Sequence, residues 1–497
     1  MRSPSEFLSE VFATFDCWQD ESDGHKSPSN FLSEVFATLK LAVPLGGIQL
    51  AETSVNFINT VMMGFLGIES LAGGALGVIT FYTLLFICMG IIEGASPLAS
   101  EAFGAKKIDH ISQLLAQGIW LMVAISLPMM LLIWHLDSIL IFLGQEEHTV
   151  SLTATYLRVI VWAFPAAVGF FILKEIATAL NRPKLISAIA LTSVPINITI
   201  NYLLLFGHLG LPALGLAGIA WATTIVFWMN FLGAATILGF HPEFREYKLF
   251  SSLGFDKEVF AEIWQNGWPI GLQYAASMFL FTLIALFSGY MGSAVLAANE
   301  IAVETIDISL IVPIATSYAA MTRVGQKIGQ NDPTGAKRSG LATISIGIAA
   351  IGMIAVALWL FPDRITAIFL RANAEDNSIV INSAIPLLRV AGLFLIAYGL
   401  NLIAMGMLQG IKDIGLPLII NILIQWCVGM VSGYLFCFYL NWGSVGLWLG
   451  LTIGTLLSTV YLIYRFYIST AEIIQSSEDD KSRSINNDQT PVLKSVS

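Results

Sequence analysis

Three carboxylic acids lie close together inside an apolar stretch of the sequence, at Glu300, Glu304 and Asp307. Their spacing of four and then three residues places them on one face of a helix. Carboxylates this close repel one another, so in a medium of low dielectric constant they must share protons or bind a cation. Glu304 and Asp307 are therefore the first candidates for reversible binding of H⁺ or Na⁺. Glu300 lies nearer the predicted outer surface.

A second acid, Glu52, lies about eleven residues into another apolar run, roughly 16 Å from its start at 1.5 Å per helical residue. Asn59 follows on the same face, and Asn197 and Asn201 share one face of a later helix. The four residues could form a polar cluster around an ion. The alternative for Glu52 is a structural bond to a neighbouring helix, and for the asparagines simple interhelical adhesion.

The remaining polar residues in apolar runs carry weaker signals. Tyr274 and Tyr398 could hold a flat organic cation through cation–π contact, although most aromatic side chains in such a chain only pack. Structural ion pairs or interfacial placement are expected for Glu93, Lys174, Glu175, Arg158 and Arg389.

No catalytic set is evident. The six histidines lie in tails, loops or helix ends, and no phosphate-binding loop occurs. We therefore predict a protein that is not an enzyme, has no cofactor and has no protein-bound transition metal.

Composition identifies the solvent in which this chain folds. Of its 497 residues, 56% are hydrophobic and 12% are charged, whereas soluble domains are charged at about a quarter of positions. The mean hydropathy is +0.76. The formal net charge of −10 and the absence of a basic stripe argue against nucleic-acid binding. The lipid bilayer is the medium that fits.

Runs of about 20 apolar residues are long enough to span a bilayer as helices. No alternation typical of a barrel strand occurs, so we predict an all-α integral membrane protein with twelve transmembrane helices. The predicted spans are 41–65, 74–98, 113–134, 153–175, 186–206, 212–239, 267–290, 295–322, 340–361, 383–407, 417–439 and 444–468.

Loop charge predicts the orientation. Alternate loops carry nearly all the cations, among them Lys106, Lys107, Arg182, Lys184 and Lys412. Basic loops stay in the cytoplasm, so both termini are predicted to be cytoplasmic, in the plasma (inner) membrane of a bacterium-like cell.

An internal repeat organises the chain. Residues 43–109 match 268–334 at a constant offset of 225, as Val43-Pro44-Leu45-Gly46 matches Trp268-Pro269-Ile270-Gly271. We therefore predict two pseudo-symmetric six-helix lobes flanking a path near the bilayer midplane. The expected domains are a cytoplasmic segment 1–40, an N-lobe 41–239, a cytoplasmic loop 240–266, a C-lobe 267–468 and a disordered tail 469–497.

A shorter duplication relates residues 3–14 to residues 27–38. Each copy could be an amphipathic cytoplasmic segment. We favour a duplication without a function of its own.

Several ordered segments resemble the MATE family, the multidrug and toxic compound extrusion transporters. They are residues 57–67, 94–105, 197–218 and 312–329. The resemblance implies a V-shaped pair of lobes that exports organic cations against inward Na⁺ or H⁺. It also implies three acids that this chain lacks, since Asn59 and Tyr398 stand where members often have aspartate, and Ser277 where they have glutamate. Glu52 is the repeat partner of Ser277, so the carboxylate could have moved to the other lobe.

We thus predict a monomeric antiporter that exports organic cations or drugs by alternating access. Two alternatives remain. A flippase for lipid-linked precursors would need a cationic cavity, whereas the deep charges here are mainly acidic. A passive transporter would fit the missing family acids.

Overall fold

A computed structural model describes residues 29–142, 144–210, 212–251, 254–369 and 377–488. Throughout these ranges the regular structure is helical, without a strand. Eleven helices in this part of the chain are long and apolar enough to cross a membrane. A further helix, the eighth in chain order, is interrupted at Leu310 and carries the three acids in its first segment. The prediction of an all-α fold with twelve membrane helices is confirmed.

The helices are numbered here in chain order. They are α1 Ser29–Gly64, α2 Ile68–Gly104, α3 Ile108–Trp134, α4 Glu147–Ala179, α5 Pro183–Phe206, α6 Gly215–Phe240, α7 Lys257–Tyr290, α8 Ser293–Ser309 with Ile311–Gly329, α9 Pro333–Leu360, α10 Asn377–Gly410, α11 Gly415–Tyr439 and α12 Gly443–Asp488. Short helices Leu136–Phe142, Pro242–Arg245 and Pro362–Phe369 lie between them.

Proline explains the interruption of α8. Pro313 has no N–H to donate to the carbonyl of Ser309, so the helix cannot continue regularly through Leu310. The acids therefore lie on a segment of their own, Ser293–Ser309, which packs mainly on α10 and α7. A second segment, Ile311–Gly329, carries the chain to the other end of the molecule.

Both ends of the chain differ from the expected boundaries. Helix α1 begins at Ser29 and not near 41, and α12 continues to Asp488. Residues 469–488 are thus helical where we expected a disordered tail, because the apolar run passes directly into a polar helical extension. The first copy of the short duplication and residues 489–497 lie outside the described residues.

The internal repeat is visible in the backbone. Gly67 and Gly292, 225 residues apart, precede α2 and α8 with φ of 103° and 119°. These φ values favour glycine, which explains why both halves keep it. Lys106 and Asn331 share the same offset and the left-handed values of 57° and 56°.

Each half of the chain builds its own apolar core. Large buried side chains of the first half include Phe81, Tyr156 and Phe164, and those of the second half include Phe394 and Trp448. The connecting loop packs on the first half, where Phe244 is fully buried. Two six-helix lobes follow from this division, as the repeat predicts.

Candidate functional site

The lobes contact each other near the end of the molecule that carries Lys106, Lys107, Arg182, Lys184 and Lys412, called here the basic end. Helix α2 of the N-lobe packs there on α7 of the C-lobe, and α1 packs on the second segment of α8. A Cβ on Gly94 would lie 2.5 Å from the backbone nitrogen of Gly267. One on Gly271 would lie 2.9 Å from the carbonyl oxygen of Ile87. Backbone thus touches backbone between the lobes.

Residues related by the repeat contact each other across this interface. A Cβ on Gly104 would meet the carbonyl oxygen of Gln326, and one on Gly329 would meet that of Glu101. Gly104 and Gly329 are repeat partners, and so are Glu101 and Gln326. The pseudo-two-fold axis therefore passes between the lobes at the basic end.

Ion pairs reinforce the rim of this interface. Lys412 of the C-lobe lies 2.5 Å from Glu101 of the N-lobe. Glu34 accepts a hydrogen bond of 2.6 Å from Arg323, and Lys327 lies 3.3 Å from its other oxygen. Glu34 belongs to the second copy of the short duplication, so that copy holds α1 against the C-lobe.

A buried charged cluster lies deeper between the lobes. Glu93 of α2 is only 5% exposed and accepts hydrogen bonds from the hydroxyls of Tyr274, at 3.1 Å, and Tyr318, at 3.4 Å. Lys174 and Glu175 of α4 are 4% and 1% exposed and form an ion pair of 3.4 Å. The Lys174 ammonium also lies 4.6 Å from the centre of the Tyr318 ring. The sequence suggested separate structural pairs, whereas the fold assembles one cluster.

The asparagines form a buried cluster inside the N-lobe. Asn201 donates to the amide oxygens of Asn59 and Asn197, both at 2.9 Å, and Asn59 donates to Thr223 at 3.0 Å. Glu52 is half-buried and, within the described part of the chain, is not hydrogen-bonded to this cluster. It acts electrostatically on Lys174 instead. That Glu52 joins the asparagines in one polar cluster stays a prediction.

The acids of α8 occupy an exposed face. Glu300, Glu304 and Asp307 are all accessible on the first segment, and the three carboxylates interact electrostatically. A face with three acids cannot border lipid without large cost, so it faces water or other polar groups. Asp307 also acts on Tyr398 of α10, which places the acidic face beside the interior of the C-lobe.

A small aromatic pocket opens at that point in the C-lobe. Tyr398 hydrogen-bonds Ser277 and stacks on Phe394, with ring centres 5.2 Å apart. The pocket is also lined by Leu280, Phe281, Gln425, Leu451 and Thr455. The two C-lobe positions at which the family resemblance implied acids are thus in contact, and both are neutral here.

Sequence reasoning missed a polar cluster inside the C-lobe. Asn401 is fully buried and donates to Asn421 at 3.1 Å and to Ser458 at 2.9 Å. An asparagine within an apolar run, the same signal that identified Asn197, could have found it. Over the residues that the structure describes, no group of three or more His, Cys, Asp or Glu side chains could hold a metal ion.

Comparisons with known proteins agree with this architecture. The family model described as MatE matches residues 44–203 and again residues 269–435. A protein of Synechococcus sp. named "Probable multidrug resistance protein NorM" is 36% identical over 431 residues, which cover 86% of this chain and 92% of that protein.

Solved structures share the fold at low sequence identity. The crystal structure of the eukaryotic MATE transporter AtDTX14 has a TM-score of 0.80 at 18% identity, covering 91% of this chain and 99% of that one. An outward-facing multidrug resistance MATE family transporter has a TM-score of 0.80 at 19% identity, with the same coverages of 91% and 99%. These transporters are not enzymes, as the sequence predicted. The chain belongs to the MATE family of multidrug efflux transporters and is an integral membrane protein.

Proposed function

We propose that this transporter is a secondary antiporter, which exports organic cations or drugs in exchange for H⁺ or Na⁺ by alternating access. The observation that supports it most is the acidic face of α8, Glu300, Glu304 and Asp307, beside the pocket of Tyr398. An acidic face can hold the coupling ion or attract a cationic drug, and the aromatic pocket supplies apolar contact for the drug.

Coupling follows when ion and drug compete for the same carboxylates. An ion bound at Glu304 or Asp307 removes negative charge from the cleft and so weakens attraction for the drug. The ion must bind the two conformations of the transporter with different affinity, because a ligand with equal affinity for both cannot drive a change. Glu52, which lies on the N-lobe and interacts with Lys174, is the second candidate for coupling.

Rocking of the lobes would provide the alternating access. The lobes touch at the basic end through glycine-lined helices, where small shifts separate or join long backbone surfaces. We place the basic end and both termini in the cytoplasm, in the plasma (inner) membrane, and take the working unit to be a monomer. Asn59, Asn197 and Asn201 would then stiffen the N-lobe as it moves.

Transport into or out of proteoliposomes under an imposed pH or Na⁺ gradient tests this proposal. The reporter is a fluorescent organic cation, and the variants are Glu304→Gln and Asp307→Asn. We expect gradient-driven transport to fall at least tenfold in one of them. Glu300→Gln is the matched control, which removes a carboxylate from the same face nearer the end of the helix.

Other outcomes decide between functions. Equal gradient-driven transport in wild type and both variants would reject coupling on α8. Glu52 would then be the remaining candidate, and Glu52→Gln the variant to test. Wild type that carries the cation only down the cation's own gradient would indicate a passive transporter, for which the neutral pair Ser277 and Tyr398 provides a reason. No movement of the cation would favour a different cargo, such as a lipid-linked precursor.

A further inference from the structure

We propose that the buried cluster around Lys174 is a proton-binding site that closes the basic end when it is protonated. It is separate from the acidic face of α8, and the inference rests on the proposed alternating access. Its members come from both lobes: Glu52, Glu93, Lys174 and Glu175 from the N-lobe, and Tyr274, Tyr318 and Gln409 from the C-lobe.

Charge does not balance within the cluster. Glu52, Glu93 and Glu175 all interact with the single ammonium of Lys174, so three negative charges face one positive charge. Taking an uncompensated carboxylate out of water costs several kcal/mol after relaxation. The cluster therefore has to take up at least one proton when water is excluded from it.

Glu175 gives independent evidence that negative charge in the cluster is not compensated. Its side chain is 1% exposed, and in the described part of the chain neither carboxylate oxygen accepts a hydrogen bond. The nearest cation, Lys174, lies 3.4 Å away, and its ammonium is shared with the rings of Phe171 and Tyr318. A buried carboxylate without donors is costly in its ionised form.

A proton fits this site better than a metal ion. An ammonium at 3.4 Å from Glu175 would repel a bound cation, and the tyrosine and glutamine groups around Glu93 donate hydrogen bonds. The titratable groups that face Glu93 or the Lys174–Glu175 ion pair from the packed helices are Glu52, Tyr274, Tyr318 and, beyond Tyr274, Tyr398.

Closure and protonation are linked because closing the lobes excludes water from Glu93 beside the uncompensated Glu175, while the donors from the other lobe oppose this effect only in part. Tyr274 is on α7, Tyr318 is on α8 and Gln409 is on α10. When the lobes separate at the basic end, Glu93 meets water, which stabilises the ionised form by more than the loss of the three donors destabilises it. Opening thus releases the proton toward the basic end, and closing requires it.

Glu93 and Tyr318 are also repeat partners, 225 residues apart. They face each other across the pseudo-two-fold axis. The position of the site follows from the symmetry, whereas its charge is confined to one half of the repeat.

Double electron–electron resonance, which measures the distance between two spin labels, tests the site on purified protein and needs no transport assay. Native cysteines are replaced, and spin labels are attached at Lys184→Cys on the N-lobe and Thr334→Cys on the C-lobe, which are both exposed at the basic end. In wild type we expect the short-distance fraction, meaning the share of molecules in which the two labels are close and the basic end is closed, to rise as pH falls. Glu93→Gln mimics the protonated acid at that position, so its short-distance fraction at high pH should rise toward the wild-type value at low pH, and its pH dependence should be smaller than that of wild type.

Matched controls separate this site from its surroundings. Glu101→Gln removes an inter-lobe carboxylate of the rim and should keep the wild-type pH dependence. Tyr274→Phe should lower the short-distance fraction at every pH, and it remains informative if Glu93→Gln does not fold, as judged by size-exclusion profile.

Three results would overturn the proposal: no pH dependence in wild type, an unchanged pH dependence in Glu93→Gln, or Tyr274→Phe indistinguishable from wild type. Failure of the proposed antiport is recognised separately. In that case wild-type distances respond to pH as expected, while the proteoliposomes show no gradient-driven transport.

Discussion

A methyl group placed between α2 and α7 should separate the lobes. In Gly267→Ala the new Cβ would collide with the backbone carbonyl oxygen of Ile91, and Gly94 lies alongside. A backbone oxygen within a helix cannot turn aside as the tip of a side chain can. The two helices must therefore move apart, and only the conformation closed at the basic end contains this contact.

The magnitude follows from the cost of overpacking. Inserting a methyl-sized group into a well-packed interface costs about 1–3 kcal/mol. When that cost falls on one conformation alone, the ratio of open to closed forms rises by about 5-fold to 150-fold. Alanine also favours the helix over glycine by roughly 0.5–1 kcal/mol, but it does so in both conformations.

The repeat supplies the control. Gly46 of α1 is the repeat partner of Gly271, and a Cβ there meets only Ala315 Cβ at 3.7 Å, an ordinary contact. Gly46→Ala gains the same helix propensity without a collision. Distances between labels at Lys184→Cys and Thr334→Cys should therefore lengthen in Gly267→Ala and stay unchanged in Gly46→Ala.

Unchanged distances in Gly267→Ala, with a normal size-exclusion profile, would refute the reasoning, because the interface would then tolerate a side chain that the structure excludes. Equal lengthening in both variants would refute it too. Helix propensity, and not the contact with Ile91, would then be the cause.

Two further predictions concern stability. Asp332 caps α9 by accepting from the backbone N–H of Gly335 at 2.8 Å. Partial burial alone would raise the pKa of Asp332, yet this bond, the Thr334 hydroxyl and Lys327 hold it below its usual value. In thermal melts, Asp332→Ala should therefore lower the free energy of unfolding by about 1 kcal/mol at neutral pH. The difference from wild type should shrink as acidification protonates Asp332. A difference that stays constant with pH would contradict the charge argument. Asn201→Ala leaves the amide oxygens of Asn59 and Asn197 without their donor. It should lower the free energy of unfolding by about 1–3 kcal/mol in the same melts, more than Asn56→Ala on the same lobe. Equal losses of free energy in the two variants would show that the cluster adds no stability.

Much of the fold was predictable because the bilayer restricts the choices. A spanning segment must be apolar, about 20 residues long and helical, so the runs in the sequence indicate the helices directly. Boundaries were less secure. Helix α12 continues to Asp488 since hydrogen bonding along a helix does not stop where the membrane does, and hydropathy marks only the apolar part.

The candidate site was predictable only in part. Spacing along one helix placed Glu300, Glu304 and Asp307 on one face, and the asparagines at 197 and 201 were recognised as neighbours, because these relations depend on helical periodicity alone. The interaction of Glu52 with Lys174 of α4 was not predictable, because no periodicity relates residues on different helices.

The membrane class, the helical fold, the repeat and the family can all be recognised in the amino-acid sequence. Each of these rests on composition, on local periodicity or on similarity along the chain. The meeting of Glu93, Lys174 and Glu175 with Tyr274 and Tyr318 between the lobes is visible in the folded protein alone. Those contacts join helices far apart in the chain, and their closeness depends on glycines that let α2 and α7 approach backbone to backbone.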